Sequence, residues 1–236
     1  MLIRLLPLIT GLLPIVAILA SFFIAVDAGR VPPCNPFIDG CTSISATGRY
    51  PPASYLFRAA MLPQSVLLAI FWLFSAAWLR SLASAAGQAD RREGRTIGAL
   101  GVGGALCLIL YVTFLGTTEP FYEFMRRFGV YLYFLLTVLA QLGLALRVRP
   151  LAVTLANERL RLLANCQLGL AIVPFLIGIL NLVLKAVLAD PDPAENVIEW
   201  FFALLMQAWF VLAWMTWQAT GFNASFAIRD PSGRGR

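Results

Sequence analysis

The chain has 236 residues, of which 60% are hydrophobic and only 13% are charged. A soluble domain is nearer half apolar and a quarter charged, so this composition excludes the soluble globular classes and indicates an integral membrane protein. The net charge of +6 is not accompanied by a basic stripe on a soluble face. We therefore expect no nucleic-acid partner.

Six stretches of the sequence are apolar, free of charged residues and long enough to cross a bilayer as a helix, which takes roughly 20 residues. They lack the alternation of apolar and polar residues that strands of a membrane barrel require. We predict an all-α fold, a single-domain bundle of six transmembrane helices over residues 1–236 with an ordered first outer loop. The first stretch is interpreted as a retained span, because no clear signal-peptide cleavage site follows it. The predicted spans cover approximately residues 5–26, 59–79, 96–118, 128–146, 162–184 and 200–219.

Arginine is distributed unevenly between the connections. It is concentrated in 80–95, in 147–161 and after 219, with Arg4 before the first span, whereas acidic residues predominate in the other connections. By the positive-inside rule, both termini are predicted to be cytoplasmic, with 220–236 as a cytoplasmic tail and 27–58 as an outer loop. The Arg-rich, nearly Lys-free composition suggests a bacterium, so we predict a multi-pass protein of a bacterial inner membrane.

The connection at 147–163, RVRPLAVTLANERLRLL, is basic and has apolar residues at helical spacing. This pattern is typical of an amphipathic helix that lies along a membrane surface. We predict such a helix on the inner surface.

The first outer loop contains the polar segment CNPFIDGCTSISATGRYPP, residues 34–52. An outer compartment is oxidising, so Cys34 and Cys41 are predicted to form a disulfide; two unpaired thiols are the alternative. A cross-linked loop rich in hydrogen-bonding side chains can fold over the outer mouth of the bundle. Ordered loops of this kind often carry function, although a plain connector remains the alternative.

Several residues of the first loop and the second span form a familiar pattern. They are Ser43, Ile44, Ser45 and Gly48, the prolines at 51 and 52, Tyr55, Phe57 and Arg58, and Pro63, with a weaker match at Glu199 and Trp200. Through these residues the run from Cys34 through Leu79 resembles the Frag1/DRAM/Sfk1 family, which includes GPI-lipid remodelling factors. The resemblance implies a six-span layout with a large first outer loop and a role in lipid remodelling or lipid asymmetry.

The chain contains no histidine, which excludes a His-based zinc hydrolase and a Ser-His-Asp triad. The four cysteines form no C-x-x-C pair, so we expect no metal site and no cofactor. No nucleophile–base pair is recognisable in the sequence. Whether the protein is an enzyme is therefore left open, and a non-enzymatic role is favoured.

Polar residues of the first loop are the candidate site. Asp39 lies near Ser43 and Ser45, where a carboxylate could activate a hydroxyl or contact a lipid headgroup. The alternative for Asp39 is an Asx turn that holds the loop.

Four outward arginines could clamp an anionic headgroup through bidentate hydrogen bonds, or could simply extend to headgroups without specificity. They are Arg49, Arg58, Arg126 and Arg127. Lys185 and Glu199 are predicted to form an ion pair across the last connection.

These features predict a membrane protein that recognises lipid, or helps to remodel or distribute it, at the outer leaflet. Its expected partners are membrane lipids with anionic headgroups. The alternative is a non-enzymatic scaffold or regulator with a membrane-protein partner. A small-solute transporter or channel ranks third, because no Asp or Glu lies in the middle of a span.

Overall fold

The computed structural model describes residues 2–88 and 92–223. Asp90, Arg91 and most of the predicted cytoplasmic tail lie outside the described residues. Six of the helices are long and apolar enough to cross a membrane, which confirms the predicted six-helix bundle. The helices are α1 (Leu6–Asp27), α2 (Ile44–Thr47), α3 (Ala53–Ala85), α4 (Glu93–Thr113), α5 (Pro120–Thr154), α6 (Glu158–Val187) and α7 (Asp192–Ala219).

The six long helices form a closed ring in the order α1, α3, α4, α5, α6, α7, and α7 returns to contact α1. Small residues let neighbouring backbones approach, as is usual for helices packed in lipid. Gly101 of α4 lies against the ring of Trp72, and an added Cβ there would stand 2.0 Å from the Trp72 Cγ. Trp72 in turn stacks on Trp209 of α7, with ring centroids 5.9 Å apart.

Several helices continue beyond the apolar runs that predicted them. α3 begins at Ala53 and α5 runs from Pro120 to Thr154. Charged residues at these ends do not interrupt helical hydrogen bonding, because their side chains extend away from the backbone. Hydropathy therefore located all six helices and underestimated the lengths of α3, α5, α6 and α7. The third predicted span, 96–118, extends too far, because α4 ends at Thr113 before the turn at Gly116, which has a φ of +89°.

The predicted amphipathic surface helix over 147–163 is wrong. α5 passes through this segment to Thr154, and α6 begins at Glu158 after a three-residue connection. The side chain of Asn157 accepts a hydrogen bond from the Leu160 N–H at 2.9 Å and caps the new helix. This cap lets α6 begin at Glu158, four residues before its apolar run. The basic segment 147–163 therefore forms the end of α5 and the start of α6.

α6 is the least covered helix of the ring. Only 11% of its most apolar window is buried, compared with 39–50% for the other five. The half of α6 that ends at Val187 exposes apolar side chains such as Leu176 and Leu182.

Candidate functional site

A disulfide joins Cys34 to Cys41, with the Cα atoms 6.6 Å apart, so the predicted pairing is confirmed. Within the loop closed by this disulfide, the Asp39 carboxylate accepts a hydrogen bond from the Asn35 N–H at 2.8 Å. The Asn35 side chain accepts one from the Phe37 N–H at 3.1 Å. Asp39 therefore closes a local turn, as in the turn alternative.

The short helix α2 follows the disulfide, and its N-terminus faces α7. The Ser43 hydroxyl accepts a hydrogen bond from the Ala46 N–H at 3.1 Å and caps this turn. The N–H groups of Ile44 and Ser45 interact with the carboxylate of Glu199. Ser43 thus has a structural role, and the first turn of α2 faces a carboxylate from the last span.

Three contacts fasten the loop to α7. The Asn196 amide donates to the Gly40 carbonyl at 2.8 Å, and the Trp200 indole N–H donates to the Thr42 carbonyl at 2.9 Å. Gly40 has a φ of +60°, and a Cβ there would lie 2.0 Å from the Pro193 carbonyl oxygen. Only glycine allows this approach.

The other side of the loop is fastened to α4 and to the turn between α4 and α5. The hydroxyls of Ser45 and Tyr111 are 3.0 Å apart and share a hydrogen bond. The Arg58 guanidinium donates to the Leu115 carbonyl, and Gly116 packs against the backbone of Arg49. The loop therefore spans the end of the ring from α7 to α4.

A narrow crevice lies beneath the loop between α1 and α7, with a volume of about 50 Å³. Its walls are apolar, and the exposed side chain of Leu204 marks the lipid-facing mouth. A second cavity, of about 20 Å³, continues inward from it. Both are lined by Ile18, Ile44, Ala203 and Gln207.

The inner cavity is mostly apolar but has four polar side chains in its wall. They belong to Tyr111, Tyr133, Glu199 and Gln207, and the Gln207 amide donates to the Tyr133 hydroxyl at 3.3 Å. Its volume is about that of one water-sized probe, so a small polar group fits there. An apolar entrance thus leads to a small cavity with these polar groups in its otherwise apolar wall.

Two arginines bring positive charge to this interior. Tyr111 interacts electrostatically with Glu199, Arg49 and Arg126. Arg126 is 14% exposed and forms an ion pair of 3.3 Å with Glu123. Among the described residues, no hydrogen-bond partner reaches the buried Nε of Arg49 or of Arg126.

The structure separates the predicted site residues into two groups. The Ser45 hydroxyl contacts Tyr111 of the inner cavity, and Arg49 and Arg126 interact electrostatically with the same tyrosine. Arg58 contacts the α4–α5 turn instead. Arg127 is 66% exposed and pairs with Glu123 at 2.5 Å, away from the cavity. Asp39 stays in the disulfide ring.

The predicted Lys185–Glu199 ion pair is wrong. Lys185 pairs with Glu195 at 2.7 Å. Glu195 lies one helical turn before Glu199, on the side of α7 that faces the end of α6. Glu199 instead points inward, toward α2.

Tyr111, Tyr133 and Gln207 were not predicted as site residues. Each lies inside an apolar run, and only the packing of the ring reveals that all three face the same cavity. The pair Glu199–Trp200 was a usable signal, because one residue meets α2 and the next holds the loop.

Within the described part of the chain, no group of three or more His, Cys, Asp or Glu side chains is placed to hold a metal ion. The inner cavity instead offers hydroxyl, amide and carboxylate groups. Such groups bind polar or charged organic ligands.

Comparison with known proteins agrees with this architecture. The profile of the family described as Frag1/DRAM/Sfk1/Cwh43P N-terminal domain matches residues 3–220. No curated protein and no solved structure matches the chain. With nearly its whole length matched, this multi-pass membrane protein belongs to the Frag1/DRAM/Sfk1 family.

Proposed function

We propose that the protein binds a phospholipid of the leaflet adjoining the first loop, with the glycerol end of one acyl chain in the crevice between α1 and α7. The proposal rests on the surfaces that a lipid would meet in turn on the way from the bilayer, through the crevice, to the inner cavity. An apolar mouth open toward lipid leads to a mostly apolar cavity whose wall includes Tyr111 and Glu199, and two arginines interact electrostatically with that tyrosine.

The crevice is narrow, so the greater part of each acyl chain would stay in the bilayer. Ile15, Leu19 and Leu204 form the apolar entrance. Contacts with these side chains would hold the first methylene groups and orient the headgroup inward.

The phosphate would approach Arg49 and Arg126. A guanidinium donates several N–H groups in a fixed plane that suits phosphate oxygens. The Nε atoms of both residues, which have no hydrogen-bond partner in the described part of the chain, supply donors for such contacts. Ser45 and Tyr111 would add hydroxyl contacts to the headgroup.

The positive-inside distribution of arginine supports an outward orientation of the first loop, and hence the outer leaflet as the source of the lipid. Lipid recognition at this leaflet agrees with membership of the family. Redistribution or remodelling of the bound lipid would follow from this binding step.

The experiment is native mass spectrometry of the protein released from its own membrane, with identification of the lipids that remain bound. Ile15→Trp fills the crevice entrance, while Val16→Trp adds the same bulk to an exposed neighbour that is 62% accessible. We expect Ile15→Trp to lower lipid retention about tenfold, equivalent to about 1.4 kcal/mol, and Val16→Trp to leave it unchanged.

A second pair of variants tests the headgroup contact. Arg49→Gln should lower retention of phospholipid, whereas Arg127→Gln, which removes an exposed charge at the same end, should not. Equal retention in Arg49→Gln and in the unaltered protein, or a bound profile that matches the bulk membrane, would contradict the proposal.

A second candidate function, a scaffold for a partner membrane protein, is favoured by the exposed apolar surface of α6. A photo-crosslinking side chain at Leu176 tests it, with Leu73 of α3, which is 60% exposed, as the control position. One specific adduct from Leu176 alone would support the scaffold, and identical adducts from both positions would contradict it.

A further inference from the structure

A larger cleft lies at the opposite end of the bundle, between the end of α5 and the start of α6. Its volume is about 590 Å³. The connection between these two helices is only residues 155–157, which is too short to fold over the cleft. None of its lining residues belongs to the crevice beneath the first loop.

Two arginines face this cleft. Arg149 comes from α5 and Arg161 from α6. Among the described residues, Arg149 has no ion-pair partner, while Arg161 pairs with Glu158 at 2.5 Å. A guanidinium has five N–H donors, so this pair orients Arg161 and leaves donors for a ligand.

The remaining walls are mixed. Asn165 adds an amide, and Leu146 and Val153 expose 53% and 58% of their surfaces. A ligand that fits must therefore present an anionic group and an adjoining apolar part. A free inorganic anion would use only one side of this cleft.

The depth of the cleft identifies the source of that ligand. The apolar run of α5 ends at Leu146, and the run of α6 begins at Leu162. The two arginines thus lie where hydrocarbon gives way to water, which is the level of lipid phosphates. Basic pockets between spanning helices at this level bind anionic headgroups.

We infer that the α5–α6 cleft binds the headgroup of one anionic phospholipid in the leaflet opposite the first loop. The headgroup phosphate contacts Arg149 and Arg161, and its uppermost acyl methylenes contact Leu146 and Val153. This site uses no residue of the proposed crevice, so the two sites can fail independently.

The test is native mass spectrometry of the full-length protein titrated with phosphatidylglycerol, phosphatidylcholine or inorganic phosphate. The double variant Arg149→Gln/Arg161→Gln is compared with Arg159→Gln, which removes an exposed charge from the same turn without lining the cleft. Melting temperatures establish that each variant folds. All variants also carry Ile15→Trp, which blocks the crevice between α1 and α7, so that only lipid bound at the α5–α6 cleft is counted.

We expect one phosphatidylglycerol per chain to bind at least about tenfold more tightly than phosphatidylcholine, with this preference lost in the double variant and kept in Arg159→Gln. Equal weakening by Arg159→Gln would overturn the inference in favour of a general surface potential. Equal binding of phosphatidylcholine would also overturn it, as would displacement of phosphatidylglycerol by millimolar phosphate. Arg161→Lys should retain part of the preference for phosphatidylglycerol because it keeps the positive charge. It should lose the rest because lysine lacks the planar guanidinium that binds phosphate through two hydrogen bonds.

Discussion

The two ends of the bundle handle charge in different ways. At the first-loop end, a cross-linked loop covers the ring, Glu199 lines a small cavity and the side chain of Arg126 is only 14% exposed. At the opposite end, the α5–α6 connection is three residues long, and Arg149 and Arg161 line an open cleft. The site beneath the first loop thus depends on the docking of that loop, whereas the α5–α6 cleft is formed by the ends of two helices alone.

The stability of the covered end depends on close approach of the loop to α7. Gly40→Ala should cost about 3 kcal/mol, because the added Cβ meets the Pro193 carbonyl at 2.0 Å in addition to the unfavourable positive φ. Gly29→Ala is the matched control, since Gly29 has a φ of +66° and no atom within 4 Å of an added Cβ. It should cost only about 1–2 kcal/mol.

Melting temperatures of both glycine variants in detergent measure the difference. For a chain of this size, each kcal/mol corresponds to about 2–4 °C. Equal shifts in the two variants would mean that the loop is not docked on Pro193.

The disulfide should contribute the next largest effect. Cys34→Ser/Cys41→Ser opens a ring that spans a sequence separation of 7, and chain entropy predicts a loss of about 2.5 kcal/mol. Thermal unfolding with and without reductant measures it. The unaltered protein should lose stability in reductant, whereas an effect of reductant on the double variant would trace the loss to something other than this bond.

The open end offers a smaller effect, at the cap of α6. Asn157→Ala removes the acceptor for the Leu160 N–H and should cost about 1 kcal/mol. Asn157→Asp keeps the acceptor and should restore most of the stability. A loss as large as that of Gly40→Ala would contradict the view that the open end is held by local contacts alone.

The smallest effect concerns the corrected ion pair. Lys185 is 43% exposed at its side chain, so its pair with Glu195 should contribute only about 0.5 kcal/mol. A double-mutant cycle of Lys185→Met with Glu195→Gln measures this coupling, and the cycle with Glu199→Gln should give none. Coupling between Lys185 and Glu199 would restore the original prediction.

Hydropathy predicted the six spans because a helix in lipid must be apolar over its whole crossing. It missed the true ends, since the turns that carry Arg80 and Arg147 lie beyond the apolar runs and are still helical. The disulfide was predictable because its two cysteines are close in sequence and share one compartment.

The candidate site was predictable only in part. Ser45, Arg49 and Arg126 could be proposed from polarity on the outer side, but Tyr111 and Gln207 could not. Their positions inside apolar runs say nothing about which face of each helix turns inward, because that depends on packing between helices. The choice between Glu195 and Glu199 is likewise a matter of one helical turn.

A photoactivatable phospholipid tests most directly whether lipid enters the crevice beneath the first loop. The protein would be labelled in its native membrane with a probe that reacts near the glycerol, and the modified peptides would be mapped. We predict labelling concentrated on α1 around Ile15–Leu19 and on α7 around Trp200–Gln207, and lost in Ile15→Trp. Labelling spread evenly over exposed residues of α3, α5 and α6, and unaltered by Ile15→Trp, would contradict the account.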